Sequence, residues 1–158
     1  RAKNEFVFPT IYGALPKATA KRLDISESHA EYLYNKLWSD FPEIKDWQDS
    51  VLDQYNKKRY VEIPPGRRRN APLTKNEILN TPIQGAAASI VSKAMNILSR
   101  KGYKIIINAH DELVFCVKEK ESKQAAEEIQ SVMESKMYDF MGDTPLVVEG
   151  SIGMILSP

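Results

Sequence analysis

The chain has 158 residues, of which 42% are hydrophobic and 27% are charged, the balance of an ordinary globular protein with one sizeable core or two small subdomains. A single cysteine, Cys116, excludes a disulfide framework and argues against a zinc cluster, and neither a signal peptide nor an apolar run approaching the roughly 20 residues of a membrane span is visible. The net charge of +1 neither favours nor excludes binding of nucleic acid. The sequence starts at Arg1, without methionine and inside an ongoing pattern, and we therefore expect it to be a piece of a longer polypeptide.

The first 13 residues space aromatic side chains as an amphipathic helix does. Phe8 and Tyr12 are four residues apart, so in a helix they share one face. Pro9 stands inside this pattern and would remove a backbone hydrogen bond, so we expect the helix to be kinked or to begin later than the spacing indicates. Taken alone, the pattern favours a scaffold helix that packs aromatic side chains into a core.

Two stronger helices follow. Ser26 offers an N-cap to the first, which ends at Phe41 because the residue before a proline avoids the helical region. Pro42 fits the first turn of the second, which continues to about residue 58. Both carry apolar residues at i, i+3 and i+4 spacing, and we predict that they are scaffold.

A short strand over residues 59–63 and a Pro-Pro-Gly turn lead into three consecutive arginines, Arg67, Arg68 and Arg69. Three adjacent guanidinium groups cannot all face a core. They form either a solvated loop or a patch that binds phosphate groups, which the planar fork of arginine suits.

The longest helix is predicted over residues 81–101, with Pro82 in its first turn. Gly85 is unfavourable in a helix by about 1 kcal/mol relative to alanine. It leaves Gln84 beside an open surface, where the glutamine could reach a ligand that approaches the backbone. The alternative is a plain exposed glutamine.

A hairpin over residues 104–117 is the centre of the pattern. Two apolar, β-branched runs flank a polar stretch, which places His110, Asp111 and Glu112 at the tip. Two adjacent carboxylates repel each other unless a cation relieves them, and their hard oxygen atoms suit Mg²⁺. The alternative is an acidic surface turn.

A final helix over residues 119–141 and two strands, over residues 145–150 and 151–156, complete the predicted elements. The order of helices and strands predicts an α+β fold with a small antiparallel sheet flanked by helices.

Several segments, in this order, resemble family A DNA polymerases of the bacterial DNA polymerase I type. NTPIQGAAASIVSKAM is similar to the family's helix with the pattern N-x-P-[IV]-Q-G-[TA]-A, INAHDELVF to its palm hairpin, and RAKNEFVFPTIYGA to its fingers helix. YVEIPPGRRR, FPEIKDW and VVEGSIG resemble further family segments, so the resemblance covers essentially the whole chain. It implies partial fingers helices in residues 1–58 and, in residues 59–158, the return to the palm and the C-terminal palm.

The activity implied by the resemblance is template-directed DNA synthesis, in which a primer 3′-hydroxyl attacks the α-phosphorus of a dNTP with two Mg²⁺ ions. The implied partners are primer–template DNA, dNTPs and an N-terminal remainder, with no membrane. The implied location is the cytoplasm or nucleoid of a bacterium or virus, and an organellar source stays open.

The resemblance also implies roles for individual residues. Asp111 and, more weakly, Glu112 would be metal ligands, and Lys3 would bind the triphosphate and protonate the leaving pyrophosphate. Phe8 would face the sugar and Tyr12 would stack near the templating base. Arg1 would also bind the nucleotide, and Asn108 would assist at the base of the hairpin. The residues implied to bind DNA are Gln84, Asn80, His110, Arg67, Arg68 and Arg69.

The chain departs from the family pattern at four points. The family usually has lysine four residues before the position of Phe8, where this chain has Asn4, and Lys3 is one residue earlier, so the register of Lys3 is open. The family usually has glycine where this chain has Pro9. Arg1 does not align securely with the family's fingers arginine. The family's other palm carboxylate motif is absent, so we expect activity only together with an N-terminal part.

Two other functions compete with the polymerase. One is a non-catalytic nucleic-acid-binding module that retains the basic segment and Gln84. The other is a metal-dependent hydrolase built on His110, Asp111 and Glu112, which is disfavoured because His29 is the only other histidine.

Overall fold

The computed structural model describes residues 3–154, which are mainly helical. A π-helical turn, Lys3–Val7, leads into α1 (Phe8–Ile11), and α2 (Pro16–Leu23), α3 (Glu27–Asp40) and α4 (Pro42–Lys58) follow. Next come β1 (Tyr60–Ile63), β2 (Arg67–Asn70), α5 (Lys75–Arg100), β3 (Lys104–Ala109), β4 (Glu112–Cys116) and α6 (Ser122–Glu134). Short 3₁₀ turns, Glu119–Glu121 and Asp139–Met141, flank α6.

The α+β class predicted from the sequence is confirmed, and the strands form two separate antiparallel hairpins. The chain divides into two compact units, Arg1–Gln84 and Gly85–Pro158, with β1–β2 in the first and β3–β4 in the second. These two units do not identify which residues belong to the fingers and which to the palm. The predicted boundary between residues 58 and 59 therefore stays a prediction. No helix within residues 3–154 is long and apolar enough to cross a bilayer.

Local signals define the ends of the first helices. The Ser26 side chain accepts a hydrogen bond of 3.2 Å from the His29 backbone N–H and caps α3, as predicted. Pro42 stands in the first turn of α4, also as predicted. Pro9 has the same position in α1, because the α-helix begins only at Phe8, after the π-helical turn.

One core cluster of the first unit lies between α4, β1 and the beginning of α5. Its buried members are Tyr55, Val61 and Ile78. The Tyr55 hydroxyl accepts a hydrogen bond of 2.8 Å from the Leu73 backbone N–H, so the loop before α5 is tied to α4. This packing determines where α5 begins.

The prediction that α5 begins near Pro82 is wrong, because the helix begins at Lys75 and Pro82 lies inside it. Thr74 and Glu77 form a capping box. Glu77 Oε2 accepts from the Thr74 backbone N–H at 2.9 Å and the Thr74 hydroxyl at 2.8 Å, while Thr74 Oγ1 accepts from the Glu77 N–H. The helix therefore starts at a strong cap and tolerates a proline two turns later.

The C-terminal elements also differ from the prediction. Residues 145–150 and 151–154 are not in a strand; residues 155–156 of the second predicted strand lie outside the described residues. The backbone of Val148 bonds to side chains of α6, since its N–H donates to Glu134 and its carbonyl accepts from Gln130. The predicted helix over residues 119–141 is shorter too, because α6 ends at Glu134.

One polar network in the second unit makes stability depend on pH. Glu128 accepts hydrogen bonds of 2.5 Å from both Lys101 Nζ and the Tyr103 hydroxyl, which join α6 to the end of α5. Lys101 first, and then Tyr103, lower the pKa of Glu128 below its ordinary value of 4.5. A lowered folded-state pKa means that this stabilisation is complete above 4.5 and is lost as the pH falls through the folded-state pKa.

We therefore expect the thermal midpoint of the chain to fall on acidification below about pH 4.5, with Glu128→Gln reducing that fall by a few degrees. Glu127→Gln is the matched control, because Glu127 is an exposed carboxylate on the same helix. Circular dichroism melting across the pH range measures this. Equal acid sensitivity of the Glu128→Gln variant and the parent chain would contradict the assignment.

Candidate functional site

The β3–β4 hairpin presents the acidic residues at its end, as predicted. Ala109 pairs with Glu112, which leaves His110 and Asp111 as a two-residue turn. His110 has a φ of +56°, the sign that tight hairpin turns require at their first central position. Glu112 belongs to β4 rather than to the turn, and all three side chains are exposed.

An irregularity in β3 affects the direction of the side chains near the tip. The register shifts between Ile105 and Ile107, so Ile106 is an extra residue on this strand. Because of this extra residue, the side chains that follow it on β3, including that of Asn108, point to the opposite face of the hairpin from the one they would occupy in a regular strand. At the other end of the hairpin, the Tyr103 and Phe115 rings meet edge to face at 6.3 Å.

The tip offers oxygen ligands for a hard cation, but few of them. Asp111 and Glu112 are adjacent, and within residues 3–154 no three His, Cys, Asp or Glu side chains come together as a complete metal site needs. Mg²⁺ commonly binds through one or two protein carboxylates and keeps its other positions for water and substrate phosphates. The hairpin therefore fits part of an open magnesium site.

At the beginning of the chain, the π-helical turn brings two predicted nucleotide-binding residues together. Lys3 Nζ lies 5.2 Å from the centroid of the Phe8 ring. A π-helix closes hydrogen bonds from residue i to residue i+5, so residues five apart share a face. Phe8 is exposed, whereas Tyr12 is half-buried and Arg1 lies outside the described residues.

The turn after α1 packs against the beginning of α5. Gly13 has a φ of +99°, and a Cβ added there would lie 3.0 Å from Asn76 Oδ1. The Ile11 carbonyl accepts a hydrogen bond from the buried Gln48 side chain of α4. The backbone angle therefore favours glycine at residue 13, and a larger residue would also require the Asn76 side chain to shift.

Helix α5 carries the two side chains predicted to meet a duplex. Gln84 is exposed on it. Asn80 is half-buried, and its Oδ1 atom is buried without a hydrogen-bond partner in the described part of the chain. The amide nitrogen of Asn80 is the donor of this side chain, while the buried Oδ1 is an acceptor.

The three arginines lie in a strand, so the solvated-loop alternative is wrong, and the phosphate-binding alternative stays a prediction. Arg67, Arg68 and Arg69 pair across the hairpin with Ile63, Glu62 and Val61, respectively. Successive side chains on a strand point to opposite faces, so Arg68 is separated from the other two. The Arg68 guanidinium lies 4.4 Å from the centroid of the Tyr60 ring.

Arg69 has partners that the sequence analysis missed. Its Nη1 donates to Thr81 at 3.1 Å and its Nη2 donates to Glu77 at 2.5 Å, so both nitrogens bond to α5. Hydrogen bonds from Thr74, the cap of α5, contribute most to lowering the pKa of Glu77, and Arg69 lowers it further. The Thr-x-x-Glu spacing at residues 74–77 was the available signal, since it marks a helix start earlier than Pro82.

Comparisons with known proteins agree on one family. A family model described as DNA polymerase family A matches residues 1–157. Curated relatives include the thermostable DNA polymerase I of Thermus filiformis, 29% identical over 97% of this chain and 20% of its own length. The DNA polymerase I of Chloroflexus aurantiacus is 31% identical over 97% of this chain and 18% of its own length.

A solved structure gives the same result. The polymerase domain of Pol1 from M. smegmatis, in complex with DNA primer–template and dNTP, matches with a TM-score of 0.71 and 28% identity. The match covers 80% of this chain and 25% of that one. The chain thus spans about a fifth of the length of the curated relatives above and, by its sequence over residues 1–157, belongs to DNA polymerase family A.

Proposed function

We propose that this chain is the fingers and C-terminal palm portion of a DNA-directed DNA polymerase, which transfers a nucleotide from a dNTP to a primer 3′-hydroxyl. The observation that carries the proposal is the exposed hairpin tip with adjacent Asp111 and Glu112, in a chain that belongs to the polymerase family over nearly its whole length. Residues 1–58 would be the fingers portion, and residues 59–158 the return to the palm and the C-terminal palm.

At the palm hairpin, Asp111 would be the principal metal ligand and Glu112 a second carboxylate nearby. Two Mg²⁺ ions, when bound, would stabilise the attacking and leaving oxygens of the phosphoryl transfer. His110 would lie near the primer terminus, at a backbone position whose positive φ is maintained by the two-residue turn. Because residues 3–154 hold only part of a ligand set, a second aspartate would come from an N-terminal part of the polymerase.

At the fingers, Lys3 would bind the triphosphate and donate a proton to the leaving pyrophosphate. The contact of Lys3 with Phe8 supports their action on one nucleotide, with Phe8 against its sugar. Arg1 would add a second cation. Tyr12 would stack near the templating base and move as the fingers close.

The DNA would lie along α5. Gln84 and the amide nitrogen of Asn80 would donate to the minor-groove acceptors, N3 of purines and O2 of pyrimidines. Every correct base pair presents such acceptors, so a donor there checks pair geometry without reading sequence. Arg67 and Arg68 of β2 would contribute to binding of the DNA phosphates. The setting would be the cytoplasm or the nucleoid.

Primer extension by the native polypeptide, identified by its mass and N-terminal sequence, tests this function. We expect template-dependent extension that requires Mg²⁺. The second candidate, a non-catalytic DNA-binding module, is favoured because the described part of the chain holds no group of three metal-ligating side chains. It predicts duplex binding without extension, and a biological activity that survives Asp111→Ala.

Selectivity at the sugar provides a further prediction. Phe8→Tyr should increase dideoxynucleotide incorporation relative to deoxynucleotide incorporation by roughly tenfold or more, because a hydroxyl at this position offers a hydrogen bond that Phe8 cannot. Competition between dideoxy- and deoxynucleotides in primer extension measures the ratio. Phe6→Tyr is the matched control, and an unchanged ratio for Phe8→Tyr would place Phe8 away from the sugar.

A further inference from the structure

Arg69 differs from its neighbour Arg68 in what it contacts. Both side chains are exposed, and the Arg68 guanidinium lies 4.4 Å from the centroid of the Tyr60 ring. The guanidinium of Arg69 instead bonds to Glu77 and to the buried Thr81. Both partners lie on α5, so the charge of Arg69 is already opposed by a carboxylate.

The segment of α5 that Arg69 bonds to is the weakest part of that helix. Pro82 has no N–H, so the carbonyl of Ile78 loses its usual intrahelical partner, and the proline ring crowds the same turn. Glu77 and Thr81 are four residues apart and flank this turn on one face. The guanidinium group of Arg69 bonds to both residues and so links the helix on either side of the hydrogen bond that is lost at Pro82.

Glu77 is itself fixed from two directions. Its Oε2 atom accepts from the Thr74 cap, and its Oε1 atom accepts from Arg69. Glu77 therefore links the Thr74 cap to Arg69, and Arg69 in turn bonds to Thr81.

The same face carries the residues proposed to meet the duplex. Asn80 and Gln84 follow Glu77 by three and seven residues, which in a helix is the same side. We propose that Arg69 is a positioning residue, which holds the turn of α5 that carries Asn80 and Gln84, and that it does not bind a DNA phosphate. This inference rests on the proposed function.

The two possible roles of Arg69 give opposite results when its partner is changed. Glu77→Gln keeps an acceptor for Thr74 but removes the charge that pairs with Arg69. If Arg69 positions the helix, Glu77→Gln weakens primer–template binding by roughly two- to fivefold, the effect of losing a half-exposed ion pair. If Arg69 binds phosphate, the same change frees Arg69 and removes a negative charge, so binding tightens.

The experiment is fluorescence anisotropy of the native polypeptide with primer–template DNA at several salt concentrations. For a positioning role, Arg69→Ala and Glu77→Gln weaken binding to a similar extent and leave the slope of log K against log salt unchanged. Arg68→Ala is the matched control and should reduce the slope by about 1, as loss of a phosphate contact does. A reduced slope for Arg69→Ala, or tighter binding by Glu77→Gln, overturns the positioning role.

Hydrogen exchange separates this inference from the function on which it rests. Both Arg69→Ala and Glu77→Gln should accelerate amide exchange near Ile83 and Gln84, while protection in α3 stays as in the parent chain and shows an intact fold. Unchanged exchange near Gln84 overturns the positioning role alone. Failure of the unsubstituted native polypeptide to bind primer–template DNA overturns the proposed function, and the positioning role with it.

Discussion

Asp111→Ala should lower the rate of primer extension by the native polypeptide by roughly a thousandfold or more, because a metal-ligating carboxylate supports several kcal/mol of transition-state stabilisation. Asp111 lies at the end of a two-residue turn, exposed, so its removal leaves no cavity. Folding should therefore be unaffected. Single-turnover extension, with product resolved on a gel, measures the chemical step directly.

Two matched variants make this result specific. Glu112→Gln should reduce the rate less, since we assign Glu112 the weaker part in metal binding. Glu119→Ala should have no effect, because Glu119 is an exposed carboxylate beyond the end of β4. The proposed mechanism is contradicted if Asp111→Ala extends primers at the parent rate, or if Glu119→Ala loses as much activity as Asp111→Ala.

The sequence predicted best where the determining interactions are local. The N-cap at Ser26 and the proline at Pro42 specify helix ends through groups within one turn, and both positions agree with the structure. The β3–β4 hairpin was equally predictable, because its apolar runs and polar tip are read from adjacent residues. Local hydrogen bonding therefore accounts for the hairpin that carries the proposed metal ligands.

The errors occur where a segment's partner is distant in sequence. Residues 145–150 have the composition of a strand, but a strand also needs an edge with which to pair, and Val148 instead bonds to side chains of α6. Pro82 was predicted to mark a helix start because proline is favoured in the first turn of a helix. The capping box at Thr74 and Glu77, together with the packing of Ile78, begins the helix earlier.

The position of Lys3 shows a third kind of limit. Spacing alone indicates that lysine stands one residue too early for the α-helical family pattern, because residues four apart share a face in an α-helix and residues five apart do not. A π-helical turn changes which residues align, and the choice between i→i+4 and i→i+5 bonding is not visible in residue spacing. Here the turn places Lys3 Nζ against the Phe8 ring, which supports a shared role at the nucleotide.

Lys3→Ala should therefore lower kcat/KM for dNTPs in primer extension by roughly a hundredfold, because it removes both a triphosphate contact and a positioned proton donor. The loss should fall on kcat as well as on KM, since proton donation acts in the transition state. Steady-state extension at varied dNTP concentration measures both constants. Lys17→Ala, at an exposed position on α2, is the control and should leave them unchanged.

Moving the lysine by one residue tests the π-helical register itself. The double variant Lys3→Asn, Asn4→Lys restores the family spacing of four residues before Phe8 and keeps composition and charge constant. If the contact of Lys3 with Phe8 positions the ammonium group, moving the lysine to residue 4 removes that contact, and the double variant stays as impaired as Lys3→Ala. Full activity of the double variant would mean that this segment acts as an ordinary α-helix, and that Asn4, not Lys3, occupies the position facing the triphosphate.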